Sequence, residues 1–147
     1  MKKILRFLFY PYPKKKLLGQ SLFFLWVVRI SLWLFSFKVL DRWLSSFGSP
    51  GGYEQQTDPE VVDRVVKSVQ ACSRYVPYAS CLTQALTART LLQMRGQDCQ
   101  LKIGVKKDED EKFAAHAWIE VDGRIVIGKR PYHRDFSVLG RVNSAVL

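Results

Sequence analysis

The chain has 147 residues, of which 48% are hydrophobic, enough for one sizeable core with a short appendage and inconsistent with a disordered polypeptide. Three cysteines at irregular spacing, Cys72, Cys81 and Cys99, argue against the paired framework of a small secreted domain and for a reducing, cytoplasmic compartment. The formal charge of +10 resembles a nucleic-acid footprint until it is located. Residues 1–50 hold nine Lys or Arg against one acid, Asp41, so the excess lies beside the most apolar stretch, and no nucleic-acid partner is expected.

Leu, Phe, Val and Trp dominate from Leu17 to Leu44 and predict a long apolar helix within a basic arm, residues 1–48. Arg29 falls in its middle, at an insertion cost of about 2.5–3.5 kcal/mol that this many Leu and Phe can offset. Three readings stay open: a helical pair packed on its own domain or on a partner, a helix lying at an anionic membrane surface, and a spanning helix. The second is suggested by Lys14, Lys15 and Lys16 and by tryptophans at 26, 33 and 43. No short apolar region with a small-residue cleavage site follows the basic leader, so the pattern does not fit a secretory signal peptide. Ser49-Pro50-Gly51-Gly52 predicts a linker, after which a second unit covers residues 53–147.

Asp58, Pro59 and Glu60 give an N-cap, a first-turn proline and a first-turn acid, and Val61, Val62, Val65, Val66 and Val69 make an apolar stripe. They predict a helix from about Pro59 to Ala71. Ser80 then caps a helix from Cys81 to Arg95 that buries Leu82, Ala85, Leu86 and Leu92 and stops at Gly96. Beyond Gly96 the period becomes two, with Cys99, Leu101, Ile103 and Val105 on one side of a strand. Lys106–Lys112 is a charged loop. Strands over Phe113–Val121 and Arg124–Gly128 are joined by Asp122-Gly123, the type I′ hairpin signal, and helices followed by strands make the class α+β.

A thiol in the first turn of a helix sits among amides that lack intrahelical acceptors and at the positive end of the dipole, which stabilises a thiolate and can serve an oxyanion. Cys81 is therefore the candidate nucleophile, whereas Cys72 and Cys99 fit small buried hydrophobes. Such a thiol needs a base. His116 lies in a strand between Ala115 and Ala117, with Trp118 on the same face to wall off water; His133, in Pro131-Tyr132-His133-Arg134, is a loop residue with no assigned role. With no C-x-x-C pair, no H-x-x-x-H and no glycine-rich phosphate loop, neither a metal nor a cofactor is expected.

Residues 80–105, SCLTQALTARTLLQMRGQDCQLKIGV, and residues 115–128, AHAWIEVDGRIVIG, resemble the transglutaminase-like leader peptidase of lasso peptide biosynthesis, the stand-alone protease half of the maturation B protein. The resemblance covers about residues 58–139 and rests on the cysteine opening a helix, the G-x-x-x-x-L-x-I-G-V strand and the H-[AS]-W-x-E-V hairpin. It implies a transglutaminase-like, papain-like core in which a helix bearing the cysteine packs on a small antiparallel sheet bearing the histidine. It also implies that Cys81 is the nucleophile, that His116 is the base, and that the reaction is hydrolysis between leader and core of a ribosomally made precursor through an acyl-enzyme.

The resemblance further implies an orienting Asp about a dozen residues after the histidine, where this chain has Gly128. A regular two-residue hairpin sets His116 opposite Lys129, so the orienting group comes from near 128 or 129. Asp122 lies about 20 Å along the strand and Glu120 about 13 Å, which makes them unsuitable; Asp135 or a backbone carbonyl near Gly128 remains open. The chain has no room for a leader-recognition domain, so the expected partners are the precursor, a separate winged-helix-like recognition protein and the ATP-dependent lasso cyclase, with membrane-surface contact through residues 17–44. Acyl transfer, or a non-catalytic partner-binding module, is the alternative.

Overall fold

The computed structural model describes residues 12–46, 57–107, 110, 112–129 and 137–142; the linker at Ser49–Gly52, His133 and Asp135 lie outside them. The apolar stretch forms two helices, α1 (Tyr12–Leu34) and α2 (Phe37–Ser45), the helical pair of the first reading and not one long helix. Ser36 is the reason: it stays extended at φ −69°, ψ 151°, and its carbonyl accepts from the amides of Val39 and Leu40 to start a new helix. In α3 (Pro59–Ser73) the Asp58 carboxylate accepts from the amide of Glu60 at 2.9 Å and that of Val61 at 3.5 Å. Helix α4 (Cys81–Gln93) is capped by the Ser80 hydroxyl, which accepts from the Thr83 amide. It ends at Gly96, whose φ of +67° lets the amides of Gly96 and Gln97 turn back to the carbonyls of Gln93 and Leu92.

Four strands, β1 (Gln100–Lys107), β2 (Phe113–Val121), β3 (Arg124–Ile127) and β4 (Ser137–Val142), pair antiparallel in the order β3-β2-β1-β4. Strand β1 runs two residues into the segment expected to be a charged loop, and β4 was not foreseen from the sequence. Asp122 and Gly123 both take positive φ, 49° and 74°, as the type I′ turn requires. Val121 faces Arg124 as expected, but a bulge between Ile119 and Glu120 makes Ile119 meet Ile127. A regular hairpin would have paired Ile119 with Val126, so the register that set His116 opposite Lys129 is corrected by one residue.

Helix α4 sits at the centre, packed by α1, α3 and β2. One core unites Leu25 and Val28 of α1, Leu40 and Leu44 of α2, Val65 and Val69 of α3, Leu86 and Leu91 of α4, and Leu101, Ile119 and Ile127 of the sheet. The N-terminal helices are thus built into the core. Polar contacts reinforce this: the Ser21 and Ser68 hydroxyls meet at 2.9 Å in the interior, and the Cys72 thiol donates to the Leu18 carbonyl at 3.4 Å. Arg89, in the middle of α4 and 1% exposed, pairs with Asp41 of α2 at 2.5 Å. A guanidinium without a counter-ion there would carry a large desolvation penalty.

Candidate active site

Cys81 is the first residue of α4, half-buried, and follows a turn in which Tyr78 takes the left-handed conformation at φ 58°. The Ser80 hydroxyl takes the Thr83 amide and the Ser80 carbonyl takes the Gln84 amide. The amides of Cys81 and Leu82 have no intrahelical acceptor by their position, so they are the donors available to a developing oxyanion. Gln84, one turn on, donates from Nε2 to the Ala79 carbonyl at 3.1 Å and ties the helix to the turn that delivers the thiol.

His116 is 4% exposed, and its Nε2 lies 2.5 Å from the carbonyl oxygen of Gly128. A carbonyl only accepts, so Nε2 carries the proton and the neutral ring keeps its lone pair on Nδ1. The Trp118 ring stacks on the imidazole with centroids 6.0 Å apart and planes 24° from parallel. Trp118 is itself held, its Nε1 donating to Glu120 Oε1 at 2.9 Å while Lys102 binds the other carboxylate oxygen at 2.5 Å. Glu120 is thus linked to the histidine through the indole. Asp122 stays in its turn, accepting from Thr57 Oγ1 at 3.3 Å.

Gly128 is where sequence and structure part most usefully. Its φ is +83°, and a Cβ there would lie 2.7 Å from the Ala117 carbonyl oxygen and 3.0 Å from Trp118 Cβ. No side chain fits without moving β2. The position of the expected aspartate is filled by bare backbone that presents its carbonyl to the imidazole, one of the two substitutes left open above; the other, Asp135, lies outside the described residues.

Cys81, His116 and Gly128 line one cavity of about 340 Å³ together with Ala79, Ser80, Gln84, Ile127 and Lys129. Gln84 escaped the sequence reading and is marked only by its place one turn after the cysteine, whereas Lys129 entered it only as the residue expected opposite His116. A larger cavity of about 550 Å³ lies between α3 and the β2–β3 turn, lined by residues such as Val62, Val66 and Arg124, but neither thiol nor imidazole reaches it. The other cysteines are buried. Burial pushes the Cys72 thiol up, and pushes Cys99 up to about 12 despite the nearby Arg89 charge. Among the described residues no three His, Cys, Asp or Glu side chains gather as a metal set.

Searches of curated proteins and of solved structures return no match. Residues 24–141 match a family described as the Transglutaminase-like superfamily, a span that opens within α1 and closes in β4. It takes in the helix that starts at Cys81, the strand that carries His116, all of α2 and the part of α1 from Phe24 onward. With that match over most of its length, and with an α+β architecture of helices on a small antiparallel sheet, the chain belongs to the transglutaminase-like superfamily.

Proposed function

We propose that the chain is a cytoplasmic cysteine peptidase that releases the leader from a ribosomally made lasso peptide precursor. The observation that carries the reading is the convergence of a half-buried thiol at a helix N-terminus and a buried imidazole on one cavity, the ring held at Nε2 by a backbone carbonyl. The family match supports the chemistry, and the likeness of residues 80–128 to lasso leader peptidases supports the substrate. Three cysteines with no disulfide among them support the reducing compartment.

In this reading Cys81 Sγ attacks the carbonyl carbon of the last leader residue while His116 Nδ1 accepts the thiol proton. The amides of Cys81 and Leu82 donate to the tetrahedral oxyanion. Collapse breaks the C–N bond, and the proton on Nδ1 passes to the departing amine of the core peptide. The leader remains as a thioester on Cys81. Water, deprotonated by the same nitrogen, then attacks the thioester and frees the leader carboxylate and the thiol. Trp118 shields one side of the ring from competing water, and the Gly128 carbonyl holds the tautomer that leaves Nδ1 basic. A separate winged-helix-like protein presents the leader, and an ATP-dependent cyclase receives the core.

Incubating the chain with a leader-bearing precursor and the recognition protein, followed by mass analysis, tests this reading. Free leader from the parent chain and none from Cys81→Ala is the expected result. A crosslinked leader would replace hydrolysis by acyl transfer, and full activity in Cys81→Ala would reduce the chain to a non-catalytic binding module.

A further inference from the structure

Helix α1 is apolar on both sides. One side, with Phe24, Leu25 and Val28, is buried against α3 and α4. On the other, Phe23, Trp26, Ile30 and Trp33 recur at spacings of three and four, between 41% and 80% exposed. Phe35, and Val39 and Trp43 of α2, are exposed as well. A helix that is hydrophobic all round calls for an apolar phase on each side, and the protein supplies only one of them.

The charges around this face have one sign. Asp41 is the sole acid in α1 and α2, and it is turned inward onto buried Arg89. Lys15, Lys16, Lys38 and Arg42 accompany the apolar residues of these two helices, and the one acid among them, Asp41, is paired with Arg89. Arg29, the charge in the middle of the apolar helix, is drawn aside over the Tyr78 ring at 5.8 Å. The stretch Lys15–Leu34, with a mean hydropathy of 1.6, is long and apolar enough to cross a membrane. Its packing argues against crossing, because α3 lies against it and carries exposed Glu60, Asp63, Arg64 and Lys67, which would have to enter hydrocarbon with it or be stripped away.

We propose that α1 and α2 together form a docking face for an anionic lipid bilayer, lying flat with Phe23, Trp26, Ile30, Trp33 and Trp43 in the acyl boundary and the four basic side chains at the headgroups. The inference rests on the fold and the charge distribution and is independent of the peptidase reading.

Flotation of the full chain with vesicles of phosphatidylcholine alone, or with phosphatidylglycerol added, tests it. Binding at least about tenfold tighter to the anionic vesicles, weakening with salt, is expected. The combined Lys15→Gln, Lys16→Gln, Lys38→Gln and Arg42→Gln chain is expected to lose most of that binding, as is Trp26→Ser with Trp33→Ser, while both keep the parent melting temperature. Brominated acyl chains give a readout that folding cannot mimic: the fluorescence of Trp26, Trp33 and Trp43 is quenched and that of buried Trp118 is spared. The proposal is overturned if the parent does not bind anionic vesicles, if the variants bind as the parent does, or if quenching reaches Trp118 equally. It is also overturned if the face proves to be covered by a second copy, seen as a dimer in size exclusion that Trp33→Ser dissociates, or by a protein partner that the same substitution releases.

Discussion

Helix α4 has one thiol in its first turn and another just past its end, and the two meet opposite surroundings. Cys81 opens on a cavity beside a positive helix terminus and an imidazole, whereas Cys99 is buried at the start of β1 and its thiol is pushed up to about 12. The same functional group is thus given reach at one end and denied it at the other. Reactivity here belongs to the surroundings of the sulfur and not to the cysteine itself.

The largest effect that would break this comparison is kinetic. In the folded protein at near-neutral pH, iodoacetamide is expected to alkylate Cys81 at least about ten-thousandfold faster than Cys99, which reacts only when the core opens. In urea the two rates converge, and equal rates in buffer would abolish the distinction. Because the folded thiol of Cys99 ionises only near pH 12 and the unfolded one near 9, the unfolded state binds fewer protons between those values. That contribution to stability is whole below pH 9 and is lost as the pH climbs towards 12, a trend that urea melts at increasing pH will follow.

The middle of α4 gives the next test. Asp41→Ala strands Arg89 in the core and is expected to cost about 3–5 kcal/mol in urea unfolding, whereas Asp41→Ala combined with Arg89→Met recovers most of that loss. At the site, restoring the expected carboxylate by Gly128→Asp is expected to lower leader release about 10–100-fold and stability by about 1–3 kcal/mol, since the new Cβ drives into the Ala117 carbonyl. A gain in activity would show that the carbonyl is a poor substitute. The smallest expected effect is Ser80→Ala, about 1 kcal/mol from loss of the cap, with a drop in alkylation rate at Cys81 and none at Cys99.

What the sequence disclosed follows from how local each signal was. Asp58-Pro59, Ser80, Gly96 and Asp122-Gly123 fix their caps and turns through their own local preferences, so the starts of α3 and α4, the end of α4 and the β2–β3 hairpin were legible. Cys81 at a helix start and His116 on a strand were read from the cap and the strand pattern, their pairing was implied by the resemblance, and both line one cavity. Other features depend on partners remote in the chain. The inward turn of Asp41 requires Arg89, and the break at Ser36 lies inside an apolar run that drowns a single cap residue. Strand β4 contains Gly140 and a bulge against Ile103 and Gly104, which erase its period of two. The Gly128 carbonyl was legible only as one of two alternatives, because motif reasoning looks for side chains and this contact is made by main chain.

A main-chain oxygen in that place changes how acidity reaches the site. A carboxylate loses its negative charge when protonated and releases the ring it holds, whereas an amide oxygen has no such titration in water near neutrality. On the proposed reading, acid therefore finds no titratable group to act on at Gly128 itself. What would disengage the support is a shift of the β3 terminus, so heat and denaturant, and not acid, are the agents to which this third element answers.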